Sequence, residues 1–478
     1  MSGITRSADL ARDLAPVMSE GVPTASESLR ERAAAELTAR LPAHLARLSW
    51  DRARLESHQR DRIRRLLAHA CAHSPFHARR LARIDVARFE VADLPLLPVM
   101  TKSEMMSEFD AVVTDWRLNL ESVQEHLTSS ANTASLLLDE YVCLASGGSS
   151  GLRGVFVQTI GEYMDFMASF ARTGMASSAA GGARPDGLVL AVVAAASPVH
   201  SSGLASAVIS SPIRLVPVPA TLPVGEIVRR LNALQPPAIV GYPTMLALLA
   251  AEQRAGRLRI APGAVTASSE MLTEEARTAI TAAFGVPVTD QFAATEGLVG
   301  PSEPGGRVQT FATDMCVVEL VDTEGEPVPP GTAADRVLVT NLHNFTQPLI
   351  RYELSDRFLR HHDDPAGRVR ASVEGRNDSV FRYGDVTVHP VALEGVLDGM
   401  PGVTEYQIRQ TPHGAAIDVV ADGPLDALAL RDAIRRELSR CGIESPEVTV
   451  SAVKSVQRHP ETGKARPVRP APEPPAAA

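Results

Sequence analysis

Between residues 188 and 291 short β-branched runs and amphipathic stretches take turns, and this alternation constrains the fold more than any other feature of the chain. Leu188–Val193 reads as a buried strand, Val224–Leu234 as a helix, Ala238–Gly241 as a strand and Thr244–Ala255 as a helix. Gly263–Ala267, then a helix capped by Thr273 and stopped by Gly285, then Val286–Gln291 repeat the unit. Such repetition predicts an α/β fold with substantially parallel sheets. Ligands in these sheets collect outside the carboxyl ends of the strands. Gly241-Tyr242-Pro243, Ser268-Ser269-Glu270 and Ala293-Ala294-Thr295-Glu296-Gly297 all fall at such ends and together predict a site.

Upstream, Ser146-Gly147-Gly148-Ser149-Ser150-Gly151 lies between the apolar run Tyr141–Ala145 and Gly154-Val155-Phe156-Val157. Its glycines tolerate the positive φ angles that turn backbone N–H groups to one side, and its serine hydroxyls add donors there, which suits a polyphosphate. The run lacks the Lys-Ser/Thr ending of a Walker loop, and Gly/Ser runs also serve as plain linkers. The same residues fit a G-x-S-x-G elbow with Ser149 as the nucleophile of a serine hydrolase, which needs a strand before the serine and a helix directly after it. Val155-Phe156-Val157 is β-branched and aromatic and reads as another strand. The flanks therefore favour a loop between two strands, and no HGGG-like oxyanion segment precedes it.

A length of 478 residues predicts two or more structural units, and 45% hydrophobic with 22% charged residues is ordinary globular composition. The net charge of −9 argues against nucleic acid as a partner. The longest apolar run, Leu188 to Ala196, falls short of the roughly 20 residues of a membrane span, and no signal peptide opens the chain, so a cytoplasmic protein without a membrane partner is expected. Cys71, Cys143, Cys316 and Cys441 show no C-x-x-C spacing, which fits reduced thiols. A homodimer is left open.

Residues 1 to about 27 lack periodicity and are expected to be loosely attached. From Glu27 to Ile84 the pattern is helical, with Ile63, Leu66, Leu67 and Ala70 on one face, arginines 60, 62, 64 and 65 on a solvated one, and Ser74-Pro75 as the stop. A capping box opens a helix at Thr101. Residues 310–360 hold short β-rich runs such as Met315–Leu320 and Arg336–Thr340. After Gly375-Arg376-Asn377-Asp378 a smaller α+β unit begins: a helix opening at Pro390, strands 403–410 and 415–421, a helix 425–441 and a strand 447–452. The expected division is a large domain over 1–377, a small one over 378–466 and a disordered Pro/Ala tail over 467–478. His361-His362-Asp363-Asp364 carries metal-ligand residue types, but adjacent residues rarely face one ion, and it reads as a polar turn.

Taken in order, these pieces resemble the adenylate-forming superfamily, most closely its phenylacetate–CoA ligase-like branch. Leu66-Leu67-Ala68-His69-Ala70-Cys71-Ala72-His73-Ser74-Pro75-Phe76-His77 and Leu97-Pro98-Val99-Met100-Thr101-Lys102 are similar to that branch's N-terminal region. Ser146–Gly151 resembles the family's phosphate loop, Phe292-Ala293-Ala294-Thr295-Glu296 its Tyr-Gly-x-Thr-Glu segment, and Arg351-Tyr352-Glu353-Leu354-Ser355-Asp356 its Tyr-Arg-Thr-Gly-Asp segment. Gly375-Arg376-Asn377-Asp378 resembles the hinge, and Thr462-Gly463-Lys464 the segment with the terminal lysine. The family loop carries a lysine where this chain has Leu152-Arg153-Gly154, Gly147 replaces a hydroxyl residue, and Phe292 and Ala293 stand for a tyrosine and a glycine.

The resemblance implies a large N-terminal domain with helix-flanked sheets and a small mobile C-terminal α+β domain. It implies an enzyme that adenylates a small, aromatic carboxylic acid with ATP and Mg²⁺, releases pyrophosphate and passes the acyl group to coenzyme A. Lys464 would bridge the two oxyanions of the adenylation step, Thr295 would hydrogen-bond the α-phosphate and Glu296 would be the Mg²⁺ ligand. Ser146, Gly148, Ser149, Ser150, Gly151 and Arg153 would hold the phosphates. Ser269, Glu270 and Phe292 would line the adenine pocket, and Asp356 with Arg376 would take the ribose. Tyr242, His200 and Gly297 would border the acyl pocket, and Asp378 would be the hinge on which the small domain turns. On the residues alone, Lys464 is also a lysine in a mobile turn, Phe292 a core phenylalanine, His200 a structural histidine, and Asp356 and Arg376 a surface salt bridge. Within the same chemistry the acceptor is open to an amine or carrier protein, and the activated oxyanion to nitrite in a diazotisation. Outside it stand the Ser149 hydrolase and a silent nucleotide-binding module.

Overall fold

The computed structural model describes residues 24–146, 154–180, 188–376, 381–384, 386–388, 393, 396–397, 400, 403–421, 423–460, 462–465 and 468–469. Two long helices open it. Ser26 caps α1 (Glu27–Arg47) by accepting the Leu29 amide at 3.2 Å, and Asp51 caps α2 (Arg52–His73) by accepting the Arg54 amide at 2.9 Å. The helical stretch expected over 27–84 is thus broken at 48–51, where Asp51 starts a new helix. Thr24 and Ala25, expected to be loose, pair with Thr133 and Ala134. The arginine face of α2 is not simply solvated either: Arg62 donates to the Leu342 carbonyl at 2.9 and 2.7 Å, and Arg64 to the Phe89 carbonyl at 2.7 Å. Long side chains on a helix flank reach carbonyls that residue type does not reveal.

Strands β1 (Tyr141–Ala145) and β2 (Val155–Thr159) form an antiparallel hairpin in which Ala145 faces Val155. The chain continues into α3 (Ile160–Ala180), which packs on α1 through one core containing Leu37, Tyr163, Met164 and Phe156. Among the described residues after the Gly/Ser run a strand comes first, as its β-branched residues predict, and no helix begins between 154 and 159.

The alternating region builds a six-stranded sheet. Its strands are β3 (Leu188–Val193), β4 (Ile213–Pro217), β5 (Ala238–Gly241), β6 (Ala264–Ser268), β7 (Val288–Ala293) and β8 (Val299–Pro301), in the order β8-β7-β6-β5-β3-β4. All neighbours are parallel except β8, which turns back antiparallel on β7. Helices α4 (Ser201–Val208), α5 (Val224–Leu234), α6 (Pro243–Arg254) and α7 (Glu274–Phe284) make the crossovers. Thr273 caps α7 and Gly285, at φ +73°, ends it, as expected. Ile227, Leu231, Ile239, Leu246, Leu249, Val265 and Ile280 are all below the surface and fuse strands to helices.

Two antiparallel sheets follow: β9 (Cys316–Val321), β10 (Arg336–Asn341) and β11 (Tyr352–Leu354) in one, β12 (Asp356–Arg360) and β13 (Arg370–Arg376) in the other with Gln309–Thr310. The C-terminal part holds β14 (Val403–Thr411), β15 (Gly414–Ala421), α8 (Ala427–Arg440), β16 (Glu447–Ala452) and β17 (Val468–Arg469), in sheet order β16-β15-β14-β17. Ile408, Ile417, Val419, Leu430, Ile434 and Leu438 close a core of its own. Two residues of the tail expected to be disordered, Val468 and Arg469, form a short strand parallel to Ile408 and Arg409; the rest of it lies outside the described residues. Among the described residues no helix is long and apolar enough to cross a membrane.

Candidate active site

The parallel register sets the stage. Val193 pairs with Gly241, Gly241 with Ala267 and Ser268 with Gln291, so β3, β5, β6 and β7 end side by side and the loops that leave them share one edge. Tyr242 follows β5, Ser269 and Glu270 follow β6, and Phe292 is the last residue but one of β7. Ser269 sits at φ +70°, in the left-handed region that non-glycine residues rarely occupy, a strained turn at the mouth of the edge.

The C-terminal part sends a turn onto that edge. The turn is closed by Gly463 N–H to the His459 carbonyl and His459 N–H to the Lys464 carbonyl, both at 2.8 Å. Gly463 has φ +72°, and a Cβ there would stand 2.9 Å from the Ala220 carbonyl oxygen, so both conformation and close approach require glycine. The Lys464 ammonium lies 5.5 Å from the Tyr242 ring centroid, within range of a cation–π contact. Glu270 accepts the Ala465 N–H at 2.8 Å and the Thr244 hydroxyl at 2.7 Å. Arg458 donates to the Thr244 hydroxyl at 3.0 Å and pairs with Glu405 of β14. Burial pushes the Glu270 carboxyl up from its ordinary range, while Thr244 and the Arg458 and Lys464 charges pull it back; burial likewise raises Glu405.

A second set of contacts runs from this edge to the β1–β2 hairpin. Tyr242 is buried and its hydroxyl accepts the Ala195 N–H at 2.8 Å; burial raises that hydroxyl well above the usual tyrosine range. The Ala195 carbonyl accepts the Ser202 hydroxyl at 3.0 Å in the first turn of α4, which His200 precedes. His200 is buried with Nδ1 3.3 Å from the Ala145 carbonyl oxygen, and the Ala145 N–H donates to Val199 at 2.8 Å. Ser146 then closes the hairpin mouth: its N–H donates to the Gly154 carbonyl and its hydroxyl accepts the Gly154 N–H, each at 2.9 Å. His200 therefore stands under the base of the Gly/Ser run rather than apart from it. Gly148, Ser149, Ser150, Gly151 and Arg153 lie outside the described residues.

On the β7 side, the Phe292 ring meets Phe311 at 6.0 Å and Phe358 at 5.1 Å, edge to face in both cases. Phe358 is two residues past Asp356, which opens β12 opposite Arg376, so Phe292 and Asp356 belong to neighbouring walls. Of Arg376 only the backbone is described, and Asp378 lies outside the described residues. Thr295 and Glu296 occupy the β7–β8 turn, half-buried. Asn341 Nδ2 donates to the Glu296 carbonyl at 2.8 Å. Gly297, at φ +103°, is buried against Asn341 and His343, and a Cβ there would come within 2.2 Å of Asn341 Nδ2.

The Glu296 carboxylate takes no hydrogen bond or ion pair among the described residues, and no cluster of three metal-ligating side chains occurs among them. A single uncommitted carboxylate fits Mg²⁺, which keeps several waters and substrate phosphate oxygens and asks for one or two protein carboxylates. His361 instead bonds Ser372 at 3.1 Å and Asp364 bonds Arg368, a polar turn.

Thr244, Arg458, Glu405 and Ala220 went unnoticed in sequence. Arg458 precedes Lys464 by six residues and is the one with a local signal, a second cation in the same turn.

No family model matches the chain. It is 26% identical over 376 residues to a phenylacetate–coenzyme A ligase of Thermus thermophilus, covering 75% of this chain and 78% of the relative. Its fold is that of a 2-hydroxyisobutyryl-CoA ligase crystallised in the postadenylation state with an acyl-AMP, at 19% identity and a TM-score of 0.66 over 89% of this chain and 91% of the other. The open conformation of that ligase with acyl-AMP and CoA superposes at 0.54, covering 87% and 91%. The chain thus resembles the adenylate-forming superfamily and its phenylacetate–CoA ligase-like branch in sequence, and shares the fold of an acyl-CoA ligase.

Proposed function

We propose that this chain is an ATP-dependent, AMP-forming acid–thiol ligase that activates a small carboxylic acid and transfers the acyl group to coenzyme A. The observation that carries the reading is the docking of the Lys464 turn on the carboxyl edge of the parallel sheet, with the ammonium 5.5 Å from the Tyr242 ring and the base of the Gly/Ser run joined to the same edge through His200. The relative named phenylacetate–coenzyme A ligase supports the reading and favours a small aromatic acid.

A carboxylate is a poor electrophile, because its charge is delocalised and oxide is a bad leaving group. In the first half-reaction a carboxylate oxygen attacks the α-phosphorus of ATP and the bond to pyrophosphate breaks in line. Negative charge gathers where carboxylate and phosphate meet, and Lys464 answers it; in a cleft poor in water a fixed cation there is worth several kcal/mol. Thr295 donates its hydroxyl to the α-phosphate, and Ser146, with the run through Arg153, binds the departing phosphates. Glu296 would hold Mg²⁺, which offsets phosphate charge. Ser269 and Phe292 border the base, Asp356 and Arg376 the ribose, and Tyr242, His200 and Gly297 the acid.

In the second half-reaction the thiol of coenzyme A attacks the acyl carbon, AMP leaves and the thiol proton passes to solvent. A swing of the C-terminal domain about Asp378 withdraws Lys464 between the halves; proline at 378 would hamper that swing more than nucleotide binding. The domain division at 377/378 belongs to the same proposal. Incubation with ATP, Mg²⁺, a panel of aromatic and short aliphatic acids and coenzyme A tests it: AMP, pyrophosphate and an acyl-CoA are expected in equal amounts. Acylation of Ser149 by a serine-directed probe, with no acid-dependent AMP, would contradict it.

A further inference from the structure

The peptide unit that joins Lys464 to Ala465 is held at both ends. Its oxygen accepts the His459 N–H at 2.8 Å, a bond inside the turn, and its N–H donates to Glu270 Oε1 at 2.8 Å, a bond that crosses to the sheet. The other oxygen of Glu270 is occupied by Thr244, through its hydroxyl at 2.7 Å and its backbone N–H at 3.3 Å. Thr244 opens α6 beside Tyr242, so the carboxylate is fixed to the same element that presents the ring to Lys464. The Thr244 hydroxyl, having donated to Glu270, accepts from Arg458 at 3.0 Å; Arg458 also reaches the Gly463 carbonyl at 3.3 Å and pairs with Glu405.

We propose that Glu270 is the positioning residue for Lys464: it fixes the Lys464–Ala465 peptide plane on the sheet edge, with Thr244 and Arg458 completing a clamp that exists only while the turn is docked. The proposal rests on the ligase reading above. Its logic is geometric. Lys464 carries its ammonium on a flexible four-carbon stem, and the turn behind it contains a positive-φ glycine, so the side chain alone cannot set where the charge stands. Pinning the next peptide plane removes that freedom. Glu405 and Arg458 belong to the C-terminal part and Glu270 and Thr244 to the sheet, so the clamp divides along one line when the turn leaves. Each side then keeps a hydrogen-bond partner, Arg458 with Glu405 and Glu270 with Thr244. Glu270 is thereby a residue for the adenylation half-reaction and not for thioester formation.

Two measurements on the full chain test this. In hydrogen exchange of the ligand-free protein, Glu270→Ala should raise exchange of peptides spanning 459–465 to unprotected rates while peptides from β5 and β6 keep theirs; Glu270→Gln, which retains an acceptor oxygen, should keep most of the protection. In kinetics, acid-dependent ATP–pyrophosphate exchange with the best acid of the panel should fall about ten- to hundred-fold in Glu270→Ala and only a few-fold in Glu270→Gln, mainly in kcat. Thioester formation from presynthesised acyl-adenylate and coenzyme A should stay within about two-fold. Thr244→Val, tested as a second variant, should behave as a weaker Glu270→Ala. Unchanged protection over 459–465 in Glu270→Ala, or equal losses in the two half-reactions, overturns the positioning role. A wild-type chain that protects 459–465 but exchanges no pyrophosphate with any acid overturns the ligase reading instead.

Discussion

The Lys464 ammonium faces the Tyr242 ring at 5.5 Å from its centroid, while the hydroxyl at the far end of that ring accepts the Ala195 N–H at 2.8 Å. One side chain therefore serves two masters, and substitutions separate them. Tyr242→Phe keeps the ring and orphans the Ala195 amide, so it should lower stability by about 1–3 kcal/mol with the ring contact intact. Tyr242→Leu also removes the ring face and should cost a further 0.5–2 kcal/mol, roughly, in lysine placement. Denaturant melts and pyrophosphate exchange on the pair resolve the two effects.

A buried ion pair fastens α3 to the start of β9. Arg172 donates to both oxygens of Asp314 at 2.7 and 2.6 Å, with each side chain almost wholly buried and Arg47 3.5 Å away. These guanidinium groups hold the Asp314 carboxyl far below the usual range despite burial. Arg172→Ala leaves the buried Asp314 with only the longer Arg47 contact, so it should destabilise by about 3 kcal/mol, the low end of what breaking a buried pair costs, read as a shift in denaturant midpoint.

Asp290 of β7 supplies a pH dependence of the opposite kind. Burial raises its carboxyl to about 6, only partly offset by Arg277 at 3.8 Å and Gln309 at 3.0 Å. A folded value above the unfolded one means that the native state binds the extra proton: the resulting stability is full below about pH 4 and is lost as pH rises through about 6. Asp290→Asn should accordingly be more stable than wild type at pH 7.5, by on the order of 2 kcal/mol, and equal to it at pH 4. Denaturation at the two pH values checks this.

Gly297→Ala should be damaging although it adds one methyl group. The φ of +103° is strained for alanine, and the new Cβ would stand 2.2 Å from Asn341 Nδ2, the group that holds the Glu296 carbonyl. A loss of about 1–3 kcal/mol and a drop in acid-dependent pyrophosphate release of more than tenfold are expected, because the Thr295–Glu296 turn must shift.

Much of the scaffold was legible because it follows local rules. The β-branched runs and capping residues of 188–291 specify their own elements, and Val155-Phe156-Val157 announces the strand that closes the Gly/Ser hairpin. The break at 48–51 and the buried reach of Arg62 and Arg64 were not, since a helical repeat says nothing of which carbonyls lie within an arginine's length. The site divides in the same way. Tyr242, Glu270 and Lys464 carry motif or strand-end signals and do meet in space. Their meeting depends on Thr244 and Arg458, 214 residues apart, and on Ala220, whose small side chain and carbonyl let a glycine lie close against it. Glu270, expected at the adenine pocket, is engaged by the docked turn through its free edge; composition cannot distinguish a carboxylate that faces a ligand from one that faces another segment of its own chain.

The most direct test is acid-dependent exchange of labelled pyrophosphate into ATP, measured in parallel for the wild-type chain and Lys464→Ala. Exchange that requires both an acid and Mg²⁺, and that falls about a hundredfold or more without the lysine while ATP still binds, is the expected result. Absence of exchange with every acid of the panel, or exchange that survives unchanged in Lys464→Ala, would contradict it.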